Sequence, residues 1–282
     1  MATDIKRATG LLVIEVVNSN PNGDPDRESE PRQRPGGHGE ISPVSFKRKL
    51  RDLIEDKDGV FWKTLPEKFK SKPENYAILE SRKRDRQAIT KELENGSFTG
   101  KYWDARLFGN TFLEKAGDKE FIKTGIVQFG VGVSLSPVTI VRHTNTSKAG
   151  VQEGKNAGMA PLAFRIVEHG VYCMSFFVNP NYAHKSDCTA DDAELLKLLI
   201  PHAYDLNRSA IRPDVRLRHA WYIEHGNPLG SCPEHLLIDA LTPNRKGDCS
   251  QASTSWSDYE DKIGLPEALE RKIASARDLM AS

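Results

Sequence analysis

The chain has few cysteines and no close pair of them. Cys173, Cys188, Cys232 and Cys249 are spread through 282 residues without a Cys-x-x-Cys motif. The first ten residues, "MATDIKRATG", also lack the apolar stretch of an export signal. We therefore expect reduced thiols in a cytoplasmic protein. No run of about 18 apolar residues is present either, so the sequence predicts no membrane span.

Sequence motifs of nucleotide hydrolysis and of nucleophilic catalysis are absent as well. Gly100-Lys101 and Gly154-Lys155 lack the upstream glycine of a phosphate-binding loop, and neither is followed by Ser or Thr. No Gly-x-Gly-x-x-Gly follows a predicted strand, and no Gly-x-Ser-x-Gly marks a nucleophile. The sequence therefore gives no support to these two enzyme classes.

Two groups of side chains could hold a metal, and each has a simpler interpretation. The first group is Cys232, His235, His219 and His225. Only its first two members are closely spaced, whereas a structural zinc site normally has two close pairs. The second group is Asp24 and Asp26 in "NPNGDPD", where Asn, Pro and Gly are typical of tight turns. We expect no metal site and no cofactor.

Charge is distributed unevenly, although the net charge is only +1. Residues 27–51 carry seven Lys/Arg against three Glu, a local charge of +4. Residues 63–91 carry nine Lys/Arg against four acids, a local +5, while residues 234–282 carry nine acids against six bases, a local −3. Such a chain could bind a polyanion through its N-terminal segments, or could simply expose solvated charge.

The N-terminal part predicts a strand, a long loop and a helix. Residues 10–17, "GLLVIEVV", form an apolar, β-branched run that ends at the turn-forming "NSNPNGD". Ser42 and Pro43 then form an N-cap and first-turn pair, which predicts a helix to about Asp56. The polar residues 60–100, with their scattered aromatics, predict a finger-like insertion outside the core. Those aromatics are Phe61, Trp62, Phe69 and Tyr76.

The second half predicts further strands around a projecting arm. Residues 124–136 alternate like a strand, and the β-like segments 138–143 and 162–168 flank a polar, Gly-rich tip. A strand at 171–178 follows, then a helix capped by Thr189 whose apolar face runs to Leu206 and which Pro201 should kink. Another strand begins at Val215, and residues 264–280 predict a closing amphipathic helix.

This order of elements indicates an α+β fold. It is that of an RRM-like or ferredoxin-like β-α-β-β-α-β palm, forming one domain over residues 1–282 with insertions at 60–100 and 138–166. The second insertion is the predicted arm. An ordinary RRM stacks bases on its sheet through an aromatic RNP1 pattern, which is missing here. Contacts with RNA would therefore involve loops and insertions, mainly at the RNA backbone.

The candidate RNA-binding residues cluster in the loop, the helix and the arm. Lys47, Arg48 and Arg51 share one stripe of the predicted helix and can neutralise phosphates. Polar and charged side chains of the loop and the arm can add contacts to phosphate or 2′-hydroxyl oxygens. These additional candidates are Asn20, Asn22, Arg32, Gln33, Arg34, Arg142, His143 and Lys148.

Four ordered blocks of the sequence resemble a known family. "NPNGDPD" with the following arginine-bearing loop and "SFKRKLRDLI" is similar to the type I CRISPR (Cascade) backbone subunit, the Cas-seven family, in its I-C branch. "YWDARLFG" at 102–109 and "TGIVQFGVGVSLSPV" at 124–138 resemble that family's next blocks, and "KNAGMAP" at 155–161 resembles its thumb. The resemblance covers most of residues 10–225.

The resemblance implies a palm with finger and thumb insertions that binds CRISPR RNA without catalysis. Copies would stack as a helical oligomer along the guide, with Met159 of the thumb wedged between bases, and would present the guide to target DNA in antiviral defence. Other Cascade subunits and a recruited helicase-nuclease would be its partners. Two alternatives remain open: a metal-dependent RNase of the type III-like branch that uses Asp24 or Asp26, and a general protein-interaction scaffold.

Overall fold

The strand and the helix predicted at the N-terminal end of the sequence are present as β1 and α1, and local capping residues determine where α1 begins. The computed structural model describes residues 5–81, 85–116, 119–147 and 160–281. The apolar run 10–17 lies inside a twelve-residue strand, Ala8–Ser19. Ser42 caps the following helix, since its hydroxyl accepts a hydrogen bond from the Ser45 amide, and Pro43 occupies the first turn.

Strands form the centre of the fold and helices lie beside them. The strands of the described chain are β1 (Ala8–Ser19), β2 (Gly23–Asp24), β3 (Glu30–Pro31), β4 (His38–Ile41), β5 (Gly109–Ala116), β6 (Lys119–Thr124), β7 (Val127–Phe129), β8 (Gly132–Pro137), β9 (Ile140–Ser147), β10 (Ala160–Val178), β11 (Val215–Glu224), β12 (Asn244–Arg245), β13 (Tyr259–Glu260) and β14 (Ser275–Asp278). The α-helices are α1 (Pro43–Glu55), α2 (Val60–Thr64), α3 (Glu67–Lys70), α4 (Arg86–Glu94), α5 (Phe98–Lys101), α6 (Trp103–Phe108), α7 (Ala183–Ser186), α8 (Ala190–Leu199), α9 (Glu234–Leu241) and α10 (Glu267–Glu270).

The chain is a mixed α/β protein built on one large antiparallel sheet. The strand order is β14-β11-β1-β10-β8-β4, and β7 and β9 also pair with β10. Strand β1 lies between β10 and β11, so that Leu12 is opposite both Met174 and Ala220. None of the helices in the described part of the chain has the length and apolar character needed to cross a bilayer.

One face of the sheet packs against helices α1 and α8. Leu12 and Ile14 of β1 share a hydrophobic cluster with Phe46 and Leu50 of α1, all of them fully buried. The Phe46 ring lies 5.2 Å from the ring of Phe129 on β7. The amphipathic pattern of α1 is therefore explained by its contact with the sheet.

The opposite face is covered by the C-terminal part of the chain. Leu11 and Val13 of β1 share a second cluster with Leu237 and Leu241 of α9 and with Tyr259 of β13. Because side chains alternate along a strand, β1 sends successive residues into two different cores. The sheet is the middle of three layers.

The aromatics of residues 60–100 belong to the main core, so the expectation that they lie outside it is wrong. Phe61, Trp62, Phe69 and Tyr76 are buried in the same cluster as the sheet residues. The short helices α2 and α3 and the 3₁₀ helix Pro73–Tyr76 turn these side chains inward, while Lys63 and Lys68 remain exposed. The polar composition of residues 60–100 led to the wrong prediction, because a mostly polar segment can still contribute closely spaced aromatic side chains to the core.

The predicted C-terminal helix is also wrong. Residues 264–280 contain only the four-residue helix α10, after which β14 pairs with β11. The free edge of β11 explains the difference, because it offers backbone hydrogen bonds that a helix would not use. The Ala274 amide donates to Glu224 O and the Leu279 amide to Ala220 O, each at 2.9 Å.

The second predicted helix is capped as expected but ends earlier. Thr189 and Asp192 form a reciprocal capping box at the start of α8. The α-helix ends at Leu199, and residues 200–202 around Pro201 form a 3₁₀ turn instead of a kinked continuation. Leu206, predicted on the apolar face, is 54% exposed because the helix no longer carries it toward the sheet.

A buried ion pair connects α6 to α8. Arg106 donates to both carboxylate oxygens of Asp192, at 2.9 and 2.7 Å, and its remaining donors reach backbone carbonyls at Asn75, Thr99 and Gly100. Both side chains are nearly inaccessible, with 6% and 1% exposure. The hydrogen bonds that both groups make offset the cost of burying two charges, but loss of one partner would leave the other unpaired.

We predict that Asp192→Ala lowers the free energy of unfolding by about 3–5 kcal/mol, because Arg106 is then buried without a counter-ion. Urea denaturation of the full chain measures this. Asp191→Ala is the matched control, since Asp191 adjoins it on α8 but pairs with Lys68 at the surface. That control should cost less than about 1 kcal/mol. Equal effects of the two substitutions would contradict the structural role of the buried pair.

A histidine holds β14 to the sheet. His219 of β11 lies between two carboxylates, with Nδ1 2.6 Å from Asp278 Oδ2 and Nε2 2.8 Å from Asp261 Oδ1. The hydrogen bond to Asp278, and then that to Asp261, outweigh burial and raise the pKa of His219 above its usual 6.5. The imidazolium therefore stabilises the folded state below the usual pKa, and this stabilisation is lost as the pH rises through the raised value.

We predict that His219→Gln destabilises the protein most near pH 6 and progressively less at alkaline pH, since only the imidazolium gains from the two carboxylates. Unfolding free energies of both proteins across this range test the prediction. His235→Gln, at an exposed histidine of α9, serves as the control. If the unfolding free energy of wild type exceeds that of His219→Gln by an amount that grows with pH, the imidazolium does not stabilise the fold through these carboxylates.

Candidate nucleic-acid interface

Three segments of the chain meet at one end of the sheet. β1 ends at Ser19, which is opposite Val167 of β10, so residues 160–166 of β10 extend beyond this end. β11 begins at Val215, opposite Val16, and His38 of β4 is opposite Pro137 of β8. The loop after β1, the β9–β10 hairpin and the segment before β11 therefore lie at the same end.

The side-chain amides of Asn20, Asn22 and Gln33, which the sequence analysis predicted to bind RNA, hold the loop after β1 together through hydrogen bonds. Asn20 Nδ2 donates to Ser29 O at 2.7 Å. Asn22 Oδ1 accepts from the Ser42 amide at 2.7 Å, which ties the loop to the start of α1. Gln33 Nε2 donates to the Gly37 and Val138 carbonyls at 2.8 and 3.0 Å. These side chains fix the shape of the loop.

The arginines of this loop are paired at the surface. Arg34 Nε lies 3.2 Å from Glu40 Oε2, and Arg32 lies 3.8 Å from the other oxygen of the same carboxylate. Exposed pairs of this kind contribute little to stability, about 0–1 kcal/mol. Their guanidinium groups can exchange a carboxylate for a phosphate at small cost.

The base of the β9–β10 hairpin presents two arginines side by side. Arg142 and Arg165 are direct cross-strand neighbours, and like charges in that position repel. Arg165 is paired with Glu30 at 3.0 Å, whereas Arg142 has no carboxylate within ion-pair distance among the described residues. An anion beside Arg142 would relieve this repulsion.

An aromatic pair adjoins these arginines. The rings of His143 and Phe164 are 5.3 Å apart, also across the hairpin. Phe164 and the two arginines line a cavity of about 170 Å³ together with Glu28. The base of the hairpin thus presents the arginine pair on one face and the aromatic pair on the other. Lys148 and Met159, the other candidates in the arm, lie outside the described residues.

The three cations predicted as one stripe of α1 have different environments. Lys47 lies over the Phe108 ring, 5.0 Å from its centroid, and its pKa is lowered by burial and then by Arg51. Arg48 is bound to Asp52 at 2.7 Å and to Glu55. Lys47 therefore has no anionic partner of its own among the described residues, while Arg48 has two.

The prediction of an exposed stripe is wrong for Arg51. Its side chain is buried, and its Nε donates to Asp104 Oδ2 at 2.8 Å. Asp104 also accepts the backbone amides of Leu79 and Glu80, which draws the guanidinium inward. Charge reversal at Arg51 would consequently destabilise the fold, so any loss of RNA binding could not be assigned to a lost phosphate contact.

Asp24, His219 and His225, which the sequence offered as metal ligands, have structural partners. Asp24 Oδ1 accepts from the Asp26 amide at 3.2 Å, the hydrogen bond of a short turn. His225 Nε2 contacts Thr9 Oγ1 at 2.9 Å, and His219 lies between the carboxylates of Asp261 and Asp278. Within the described ranges, no group of three or more His, Cys, Asp or Glu side chains is arranged to hold a metal ion.

Two parts of this surface were missed from the sequence. Arg165 was not recognised because its position opposite Arg142 depends on the register of the hairpin. The sequence does not reveal which residues of the two strands face each other. Arg212 was missed although a local basic run, Arg208, Arg212, Arg216 and Arg218, marks this part of the sequence. The sequence does not show that the turn before β11 reaches the end of β1.

Comparisons with known proteins agree in pointing to one family. The sequence model of the family described as CRISPR-associated protein Cas7 matches residues 6–264. A CRISPR-associated protein Cas7 of Haloferax volcanii is 26% identical over 307 positions, covering 95% of this chain and 84% of that protein.

Solved structures with a similar arrangement include subunits of CRISPR assemblies. A chain of a CRISPR RNA-guided surveillance complex in a pre-nicking state has a TM-score of 0.49 at 12% identity, covering 78% of this chain and 79% of that one. A chain of the type III-B Cmr-beta complex bound to cognate target RNA has a TM-score of 0.44 at 12% identity, with 78% and 61% covered. Because the family model spans most of the sequence, this chain belongs to the family of CRISPR-associated protein Cas7.

Proposed function

We propose that the chain is a non-catalytic CRISPR RNA-binding backbone subunit of a type I, I-C-like surveillance complex. Copies of it would line the guide and present it for pairing with target DNA in antiviral defence. The observation that carries this proposal is the meeting of two basic segments, the loop after β1 and the β9–β10 hairpin, at one end of a sheet whose two faces are both covered. Membership in the family of CRISPR-associated protein Cas7 favours CRISPR RNA as the polyanion that these segments bind.

The covered faces favour contacts with the RNA backbone. An open sheet could stack bases, but here α1 and α8 occupy one side and α9 with β13 the other. Arginines at the end of the sheet, among them Arg34 and Arg142, are suited to phosphates, which carry no sequence information. A subunit that must accept guides of any sequence needs this kind of binding.

The sheet order supports an RRM-like palm within a single domain. β11-β1-β10-β8 is the 4-1-3-2 order of a β-α-β-β-α-β unit, with α1 and α8 on one face. Residues 60–100 would then be a finger that shares the palm's core. Residues 138–166 would be the thumb.

The thumb supports assembly along the guide. β9 and β10 pair from Ile140 opposite Val167 to Ser147 opposite Ala160, beyond the end of β1. A hairpin that leaves its own sheet is positioned to reach over bound RNA toward a second copy. Lys148 and Met159 would contact the RNA there. Other subunits of the complex and a helicase-nuclease would complete interference.

The structure offers little support for the RNase alternative. A metal-dependent nuclease needs carboxylates free to bind the ion, whereas Asp24 is engaged in capping the turn that contains Asp26. The scaffold alternative differs in that it requires no RNA affinity. One binding experiment therefore addresses all three functions.

We predict that Arg34→Gln with Arg142→Gln weakens binding of single-stranded RNA and flattens its salt dependence. Two lost phosphate contacts should reduce the slope of log K against log salt by about 1.4, at about 0.7 for each contact on a single strand. Fluorescence anisotropy of the full chain with a labelled RNA, measured at several salt concentrations, gives both quantities. The RNA should be recovered intact after incubation with Mg²⁺.

Arg271→Gln is the matched control, because Arg271 is an exposed arginine whose one ion pair among the described residues is with Glu267 on α10. It should leave affinity and slope unchanged. Wild-type protein without RNA affinity would favour the scaffold, and Mg²⁺-dependent cleavage would favour the RNase. Wild-type affinity in the folded double variant would show that the RNA binds elsewhere.

A further inference from the structure

A second basic site lies between α1 and the segment that precedes β11. Asn207 Nδ2 donates to Lys49 O at 3.1 Å, which fastens this segment to α1. Ser209 and Arg212 close a tight turn through two backbone hydrogen bonds of 3.3 and 2.9 Å. Arg212 Nε donates to Asn20 O at 2.9 Å, so its guanidinium is held at the end of β1.

The hydrogen bond from Asn207 to Lys49 O brings the turn that holds Arg212 next to Lys49 on α1, so two cations face the same side of this helix without a carboxylate between them. The pKa of Lys49 is lowered by burial and next by the charge of Arg212, with Asp52 opposing the shift. Asp52, however, is bound by Arg48 at 2.7 Å. Among the described residues no carboxylate lies within ion-pair distance of either Lys49 or Arg212, in contrast to Arg208 of the same segment and Arg216 of β11. Two half-buried cations are thus placed together without a counter-ion.

Two buried polar atoms beside Arg212 also lack partners. Asn20 Oδ1 and the Tyr204 hydroxyl are inaccessible and make no hydrogen bond to described residues. Asn20 is the residue whose carbonyl holds Arg212, and the charge of Arg212 acts on Tyr204. Unpaired buried polar groups are uncommon in native proteins. Asn20 Oδ1 and the Tyr204 hydroxyl are two of seven such atoms among the described residues, and both belong to residues that interact with Arg212.

We propose that Lys49 and Arg212 together bind one phosphate of the RNA backbone, as a site separate from the loop after β1 and from the hairpin. This rests on the proposed function, and it adds the α8–β11 segment as a third point at which the RNA is held. An anion between the two cations would replace their repulsion by attraction. Neither residue was among the sequence-predicted candidates.

Neutralising either cation should weaken RNA binding without harming the fold. Lys49→Gln and Arg212→Gln should each reduce affinity for single-stranded RNA about tenfold and reduce the salt slope by about 0.7. The double variant should show the same slope as either single one, because both cations hold the same phosphate. Lys49→Gln should unfold at the same temperature as wild type or slightly higher, since it removes a repulsion.

Arg208→Gln is the matched control, because Arg208 lies in the same segment but pairs with Asp205 at the surface. It should change neither affinity nor slope. If wild-type protein binds RNA and folded Lys49→Gln keeps its affinity and slope, this site is wrong while the proposed function stands. A slope loss of about 1.4 in the double variant would show two independent contacts and overturn the shared site. Wild-type protein without RNA affinity would overturn both proposals.

Discussion

Burial of β1 on both faces is the constraint on which the rest of the structure depends. Residues 8–16 of this strand are all buried. Even its charged residue, Glu15, is enclosed, with His169 Nε2 at 3.3 Å and Arg218 Nε at 2.8 Å from its carboxylate oxygens. Because two layers of side chains cover the sheet, its open surface is confined to the ends and edges of the strands.

Counter-ions divide the arginines at that end into those that must exchange a carboxylate for a phosphate and those that have no carboxylate to exchange. Most arginines there already have a carboxylate, as Arg34 has Glu40 and Arg165 has Glu30. Arg142 and Arg212 do not, among the residues that the structure describes. A chain of net charge +1 can therefore still have a localised anion-binding surface, because carboxylates neutralise most of the other lysines and arginines.

The elements predicted correctly from the sequence are those with local signals. Ser42 and Pro43 identified the start of α1, Thr189 and Asp192 that of α8, and the apolar run 10–17 lies within β1. The C-terminal residues 264–280 could not be predicted in this way. Their strand exists because β11 has a free edge, and no local pattern records an edge formed more than fifty residues earlier.

The candidate site was predictable to a similar extent. The sequence identified the loop after β1 and the hairpin as basic, but not that Asp104 buries Arg51 or that Arg165 faces Arg142. Both facts depend on residues distant in sequence. The position of Arg212 beside Lys49 likewise requires the turn at 209–212 and its hydrogen bond to Asn20.

We propose that several copies of this chain line one RNA. Native mass spectrometry of the full chain with single-stranded RNAs of increasing length tests this. The number of bound chains should rise in steps as the RNA lengthens, with no such assembly in the absence of RNA. A single bound chain at every RNA length, or assembly independent of RNA, would contradict it.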